Sequence, residues 1–444
     1  MSVIPSRTAV PHHRWWIGVL LGSGILVNYF DRIALSVAAP QLEQEFGLTP
    51  AEMGLIFSVF FWSYAVLQIP VGLVLDRFGV MPIQRIGAAL WSIATAVTAL
   101  ATGAAGIIAA RVVLGIAEAP AFPANAKATG YWFPRNERGL ATAIFDSAAK
   151  FSNVIGAPLV ALAVVHFGWR GAFWCIAALN FTYFLAFYLF YRDPSADLRL
   201  SAAEHEYIRQ GGAAAEGAAP AGAGAMLGYL LSTSKVWGLT IGFAAYGYSF
   251  ALFLTWLPGY LVRELHLSIL GSAEYTAIPW LVATVTDLAI GGWLIDDLIS
   301  RGYDETRVRK TVLVLGMVLG LAVFGAALTE KPAVAIFWIS VALAGLAAAA
   351  PVGWSIPSLI APRGGAGTVG GIMNFVNNLM GAVAPVVTGF IVGITGSFSG
   401  AFLVAGVALA IGIFSYLVLL GRIEPIPEPA AGRNPPVIRG GSSG

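Results

Sequence analysis

Residues 72–79 read GLVLDRFG, and residues 292–297 read GWLIDD. Each stretch holds a glycine, three residues and an aspartate, Gly72 to Asp76 and Gly292 to Asp296. Each also falls between the second and third long apolar runs of its own half of the chain. A glycine there lets two helices approach closely. The aspartate can cap a helix N-terminus or pair with a nearby arginine. Two copies at equivalent places imply two similar halves, and a contact that forms and breaks as the halves rock. Gly72, Asp76, Arg77 and Asp296 are therefore the expected gating residues.

Outward from these marks the chain is almost continuously apolar. Of its 444 residues 58% are hydrophobic and only 11% charged, against the roughly 45–50% apolar residues of a soluble domain. Lipid offers the backbone no hydrogen-bond partner, so each run must be a helix, and about 20 residues are needed to cross the bilayer. Runs at 15–40, 50–76, 82–102, 105–130, 138–165, 171–191, 235–262, 271–299, 309–328, 332–360, 366–394 and 398–421 predict twelve spans. The expected organisation is a tail over 1–14, a six-helix bundle over 15–191, a linker over 192–234, a second six-helix bundle over 235–421 and a tail over 422–444. The linker opens with charge and passes into an Ala/Gly tract from Gly211 to Ala225, which predicts a flexible connection.

Charge sets the orientation. Arg and Lys crowd the tails, the linker and every second loop, whereas the other loops hold only Arg170, Arg263 and Lys331. The positive-inside rule then places both termini in the cytoplasm. The first run is too long and too charged, with Asp31 and Arg32, for a cleaved signal peptide. A single cysteine, Cys175, excludes a disulfide framework. A net charge of +2 gives no footprint for nucleic acid. The five histidines fall at run ends, in loops or in the linker, where they suggest no metal site. No metalloprotease motif or paired nucleophile and base suggests an enzyme.

Ionisable groups inside a span cost about 2.5–3.5 kcal/mol each on insertion scales and persist where they pair or work. Those here are Asp31 and Arg32 in the first run, Arg111 and Glu118 in the fourth, Asp146 and Lys150 in the fifth and Asp287 in the eighth. Arg111 and Glu118, seven residues apart, share a helix face at a separation of about 10.5 Å along the axis. Asp146 and Lys150 are spaced to pair directly. Asp31 and Arg32 diverge by about 100°. The guanidinium fork suits a carboxylate ligand and keeps its charge. Arg32 is thus the expected substrate clamp, with Arg111 second or serving as partner of an acid. Asp31 and Glu118 are the expected proton carriers, the proton being the coupling ion and no other cofactor being implied. If all seven groups face one cavity they sum to minus one when ionised and to plus one with Asp31 and Glu118 protonated, so that an anion enters with protons. Lys150 is a further expected substrate contact, with a structural ion pair to Asp146 as the competing reading. Tyr29, Tyr64 and Gln68 complete the first-half pocket.

Together these features resemble the major facilitator superfamily over residues 15–421. GLVLDRFG resembles its signature loop, with Val80, Met81 and Pro82 where basic residues are usual and Arg85 as their substitute. Finer motifs resemble its anion:cation symporters, bacterial sugar-acid and aromatic-acid permeases among them. These are NYFDR at 28–32, RVVLGIAEAPAFPAN at 111–125, GWRGAF at 168–173, FLTWLPGYL at 253–261, and MNFVNNLMGAVAP with TGF across 373–390. The resemblance implies an all-α fold of two pseudo-symmetric six-helix bundles and the same acids and arginines. It also implies substrate contacts at Trp354, Asn374 and Asn378. The expected function is proton-coupled import of a small organic carboxylate by a monomer in the bacterial inner membrane. An anion exchanger, a drug/proton antiporter and a non-transporting sensor of organic acids stay open as alternatives.

Overall fold

The computed structural model describes residues 11–134, 137–213, 216, 223–362 and 365–428. Ten of its helices are long and apolar enough to cross a bilayer. One of the ten, Arg138–Phe190, is two helices joined at Gly168, whose φ of 69° breaks the helical run. Another helix, Ile269–Thr286, continues through a wide π-helical stretch, Asp287–Leu294, into Ile295–Ser300. The spans are thus α1 (His13–Phe46), α2 (Pro50–Phe78), α3 (Val80–Ala99), α4 (Ala104–Trp132), α5 (138–167), α6 (169–190), α7 (Ser234–Arg263), α8 (269–300), α9 (Glu305–Ala326), α10 (Pro332–Ile360), α11 (Ala366–Thr395) and α12 (Ser399–Leu419). This is the expected set of twelve, in two bundles of six.

Local chemistry sets the ends. At the start of α2, Thr49 and Glu52 satisfy each other's backbone N–H groups in a capping box with Pro50 in the first turn. Glu52 is therefore a helix cap. Asp304 caps α9 by accepting from the Arg307 N–H at 2.8 Å.

The bundles meet along three seams, α1 with α7, α2 with α11 and α5 with α8. On the face away from the termini they are closed. Ser36 donates to the Thr255 carbonyl at 2.6 Å, Ser58 to the Ala382 carbonyl at 2.7 Å, and Arg263 pairs with Glu43. A Cβ at Gly54 would lie 2.5 Å from the Pro385 carbonyl oxygen, so only glycine admits this approach of α2 to α11. The close helix approach thus belongs to Gly54, not to Gly72, where a Cβ would meet nothing within 4 Å. Arg77 is exposed above the Phe78 ring, and Arg85 ties α3 to α6 through the Tyr188 and Tyr191 carbonyls. Neither touches the second bundle among the described residues. The side chains of Asp76 and Asp296 lie outside what the structure describes.

The linker corrects the expectation of a uniformly flexible connection. It contains helices at Ala202–Gln210 and Ala223–Leu231, the second beginning inside the Ala/Gly tract. Its first part is clasped to the first bundle. Glu204, fully buried, accepts the backbone N–H groups of His13 and Arg14 at 3.2 and 3.1 Å, capping α1 from 190 residues away. Arg14, expected in a free tail, is buried; its fork holds Glu137 at 2.7 and 2.9 Å and Glu204 at 2.9 Å. Arg14 holds the Glu137 carboxyl below the usual carboxylate range, an effect that burial opposes and a bond from Tyr207 reinforces. Burial alone would raise Asp197, but bonds from Arg199 and His13 bring it down to about 2. A carboxyl depressed in the folded state stabilises above its unfolded value, near 3.9 for Asp, and loses that contribution as pH falls through the folded value. Amide exchange in 197–210 should therefore stay slow from neutral pH down to about 4 and accelerate below it. Fast exchange at pH 5 to 6 would rule out the clasp as drawn.

Candidate functional site

Arg32 and Asp31 point to different sides of α1, as their 100° step requires. Arg32 turns to α2 and α4. Its Nη2 donates to Glu118 Oε2 at 3.2 Å and to Asn28 Oδ1 at 3.1 Å. Its guanidinium lies 4.4 Å from the Tyr29 ring centre, 4.6 Å from Phe60 and 5.5 Å from Tyr64. Arg111 reaches the same Phe60 ring at 4.7 Å and donates to the Asp31 carbonyl at 3.4 Å. Arg32 is 9% exposed and Arg111 2%, so both face protein rather than lipid. One aromatic ring therefore lies beside two cations, an arrangement favoured by the ring quadrupole and opposed by like-charge repulsion.

Asp31 turns to α3 and α6. Both its oxygens accept from Asn180 Nδ2, at 2.9 and 3.2 Å, and Oδ1 accepts also from Thr95 Oγ1. The carboxylate is fully enclosed. Sequence reasoning missed Asn180, Thr95 and Phe60. A lone amide in the apolar sixth run was the available signal for Asn180, since an amide in lipid needs a partner. Phe60 carried none, one ring among many.

The arginine that holds Glu118 is Arg32, so the pair runs between helices and not along α4 from Arg111. Among the described residues, Arg32 Nε, Arg111 Nε and Glu118 Oε1 are buried without a hydrogen-bond partner. Buried polar atoms of this kind are few in folded proteins and call for a reason. Donors from two guanidinium groups and one acceptor are thus left for something else.

A line of amides runs from this cluster to the second bundle. Gln68 Nε2 donates to the carbonyl of Ala119, next to Glu118, and Gln68 Oε1 accepts from Asn374 Nδ2, both at 3.4 Å. Asn378 in turn donates to the Asn374 side chain at 2.9 Å. The expected contacts Tyr29, Tyr64, Gln68, Asn374 and Asn378 are therefore brought together with Arg32 and Glu118. Trp354 is not. It is 43% exposed and packs edge-on to Phe243, 5.2 Å between ring centres, near the end of α10.

Lys150 is also elsewhere. Its ammonium sits 2.9 Å from Asp146 and 3.1 Å from Asp287 of the second bundle. Among the described residues no hydrogen bond or ion pair joins these three to the arginine cluster. By direct contact the seven charges fall into two groups. They divide into Asp31, Arg32, Arg111 and Glu118, neutral when ionised, and Asp146, Lys150 and Asp287, at minus one. One proton on either acid makes the first set positive, so the electrostatic argument for an anion survives on four residues.

Two bundles with a buried, charge-balanced cluster at their centre, crossed by amides from the opposite bundle, define a membrane transporter built on alternating access. The chain belongs to the Major Facilitator Superfamily, whose sequence profile matches residues 21–385. It is 45% identical over 416 residues to an uncharacterized transporter, YybO, of Bacillus subtilis, covering 94% of this chain and 96% of that protein. It is 32% identical over 430 residues to a D-galactonate transporter of Escherichia coli, covering 95% and 99%. Among solved structures, a bacterial homologue of the human lysosomal transporter Spinster, in an inward-facing, unoccupied conformation, superposes with a TM-score of 0.74 at 18% identity, covering 92% of this chain and 98% of that one. That likeness is one of fold.

Proposed function

We propose that the chain is a proton-coupled symporter that imports a small organic carboxylate, with a sugar acid of the D-galactonate kind as the leading candidate. The observation that carries this reading is the shared Phe60 platform, on which Arg32 and Arg111 keep unpartnered N–H groups beside a single carboxylate, Glu118. A substrate carboxylate competes with Glu118 for Arg32. Once Arg32 turns to the substrate, Glu118 is left without its cation in a closed apolar setting, where a carboxylate takes a proton. Asp31, whose backbone carbonyl accepts from Arg111, is the second carrier. The polyol end of a sugar acid suits the hydroxyl and amide groups of Tyr64, Gln68, Asn374 and Asn378. Similarity to the D-galactonate transporter supports the substrate class. The basic residues on the terminal face support cytoplasmic termini in a bacterial inner membrane, and one chain holds both halves of the site, which suits a monomer.

The test is uptake by the full chain in proteoliposomes, with labelled D-galactonate, a hydroxy-dicarboxylate and benzoate. An inward proton gradient should concentrate at least one acid above its equilibrium level, and a protonophore should abolish the accumulation. Accumulation indifferent to the protonophore would refute the coupling. No flux of any acid would refute the substrate class.

A further inference from the structure

The ion triad on the α5–α8 seam is not used by the mechanism above. Lys150 is 4% exposed, and the side chains of Asp287 and Asp146 are 5% and 24% exposed. Asp146 lies one turn before Lys150 on its own helix, whereas Asp287 opens the π-helical stretch of α8 in the other bundle. Such stretches interrupt helices mainly where a site needs a side chain displaced from the regular spacing. The ammonium is close to one oxygen of each carboxylate, so a single positive charge is shared between acids from opposite bundles. Tyr246, Phe250, Trp280, Ala283 and Ala347 close the space beside it and leave no room for a water molecule. Two acids, one buried and one partly exposed, around one ammonium are the donor set of a monovalent-cation site, and here the position is taken.

We propose that Asp146 and Asp287 form a monovalent-cation site across the seam, that Lys150 fills it as a covalently tethered cation, and that this makes the chain's coupling indifferent to sodium. The last clause rests on the transport reading; the first two do not. Lysine carries its charge at a fixed stoichiometry of one, which neither rises nor falls with the ion content of the medium. A free ion cannot take the same position while the ammonium lies 2.9 and 3.1 Å from the two carboxylates. Removing the side chain beyond Cβ empties a channel three carbons and one nitrogen long and leaves two acids without a cation at mid-membrane depth, which lipid does not tolerate. Protons or a small cation must then neutralise them, and an alkaline medium favours the cation.

The experiment is Lys150→Ala in the purified full chain, with thermal melting followed at pH 8.5 in choline, sodium or n-propylammonium chloride. Propylammonium has the three carbons and the ammonium that the substitution removes. The variant should melt well below the wild type in choline and recover several degrees in sodium or propylammonium, while the wild type is unmoved by the exchange of salts. Lys150→Ala/Asp287→Asn should lose the recovery. A variant that responds to the three salts as the wild type does overturns the proposal. Should Lys150→Ala not be recovered in choline, purification in sodium or propylammonium should rescue it, and failure in all three salts equally overturns the proposal. In proteoliposomes, wild-type uptake should not change when sodium is replaced by choline; sodium-dependent uptake would overturn the last clause. Melting uses no carboxylate, so a failed substrate reading leaves this result standing.

Discussion

Arg32→Ala abolishes carboxylate binding: isothermal titration or thermal-shift measurements that detect a ligand with the wild-type protein should detect none with this variant. The reason is double. The fork that accepts a carboxylate is lost, and Glu118 stays behind with its Oε2 partner removed. Breaking a buried ion pair by deleting one member costs about 3–5 kcal/mol, mostly through the charge left unpaired. That cost falls on the fold, free and bound alike; the affinity loss comes from the missing contact to the carboxylate, about 2–5 kcal/mol or roughly 30-fold and more at 1.4 kcal/mol per factor of ten. Arg32→Lys should recover little, since an ammonium cannot lie flat over Tyr29 and Phe60 while donating in two directions. Retained affinity in Arg32→Ala would remove Arg32 from the site and leave Arg111 as the clamp.

Glu118→Gln separates exchange from accumulation. The amide keeps the size of the carboxyl and an acceptor for Arg32, yet carries no proton to release. Substrate exchange between the two sides of a liposome needs only binding and rocking and should continue near its wild-type rate. Accumulation driven by an inward proton gradient should fall to the equilibrium level. Normal accumulation in Glu118→Gln would take this residue off the proton path and leave Asp31 to account for it. Asp31 is held differently, by Asn180 and Thr95 on another side of α1. Asp31→Asn therefore disturbs a packed hydrogen-bond network as well as a charge, which makes Glu118 the cleaner test.

Much of this architecture was legible in the sequence because lipid permits so few solutions. A run of about 20 apolar residues has no alternative to a helix, and all twelve runs became spans. The link from Asp146 to Lys150 followed from helical spacing alone. What the sequence left open were partners far apart along the chain. Nothing in residues 25–40 says that Asp31 meets Asn180 or that Arg32 meets Glu118, because pairing between helices is set by packing over the whole bundle. The linker misled for a related reason. The charged stretch before the Ala/Gly tract is a helix, and it carries the glutamate that caps α1. Gly72 and Gly54 make the same point. Both sit in α2, but a close contact depends on which face of the molecule is shut, a property of the conformation.

The cap on α1 has a consequence for how the protein is made. Arg14 emerges almost at once, whereas Glu204, 190 residues later, does not exist until six spans have been synthesised. At about 5–20 residues per second this is a wait of roughly 10–40 s. During that interval Arg14 lacks this counter-ion while the first span enters the bilayer. The glutamate, arriving after Glu137, then completes the clasp on Arg14 and seals the finished half.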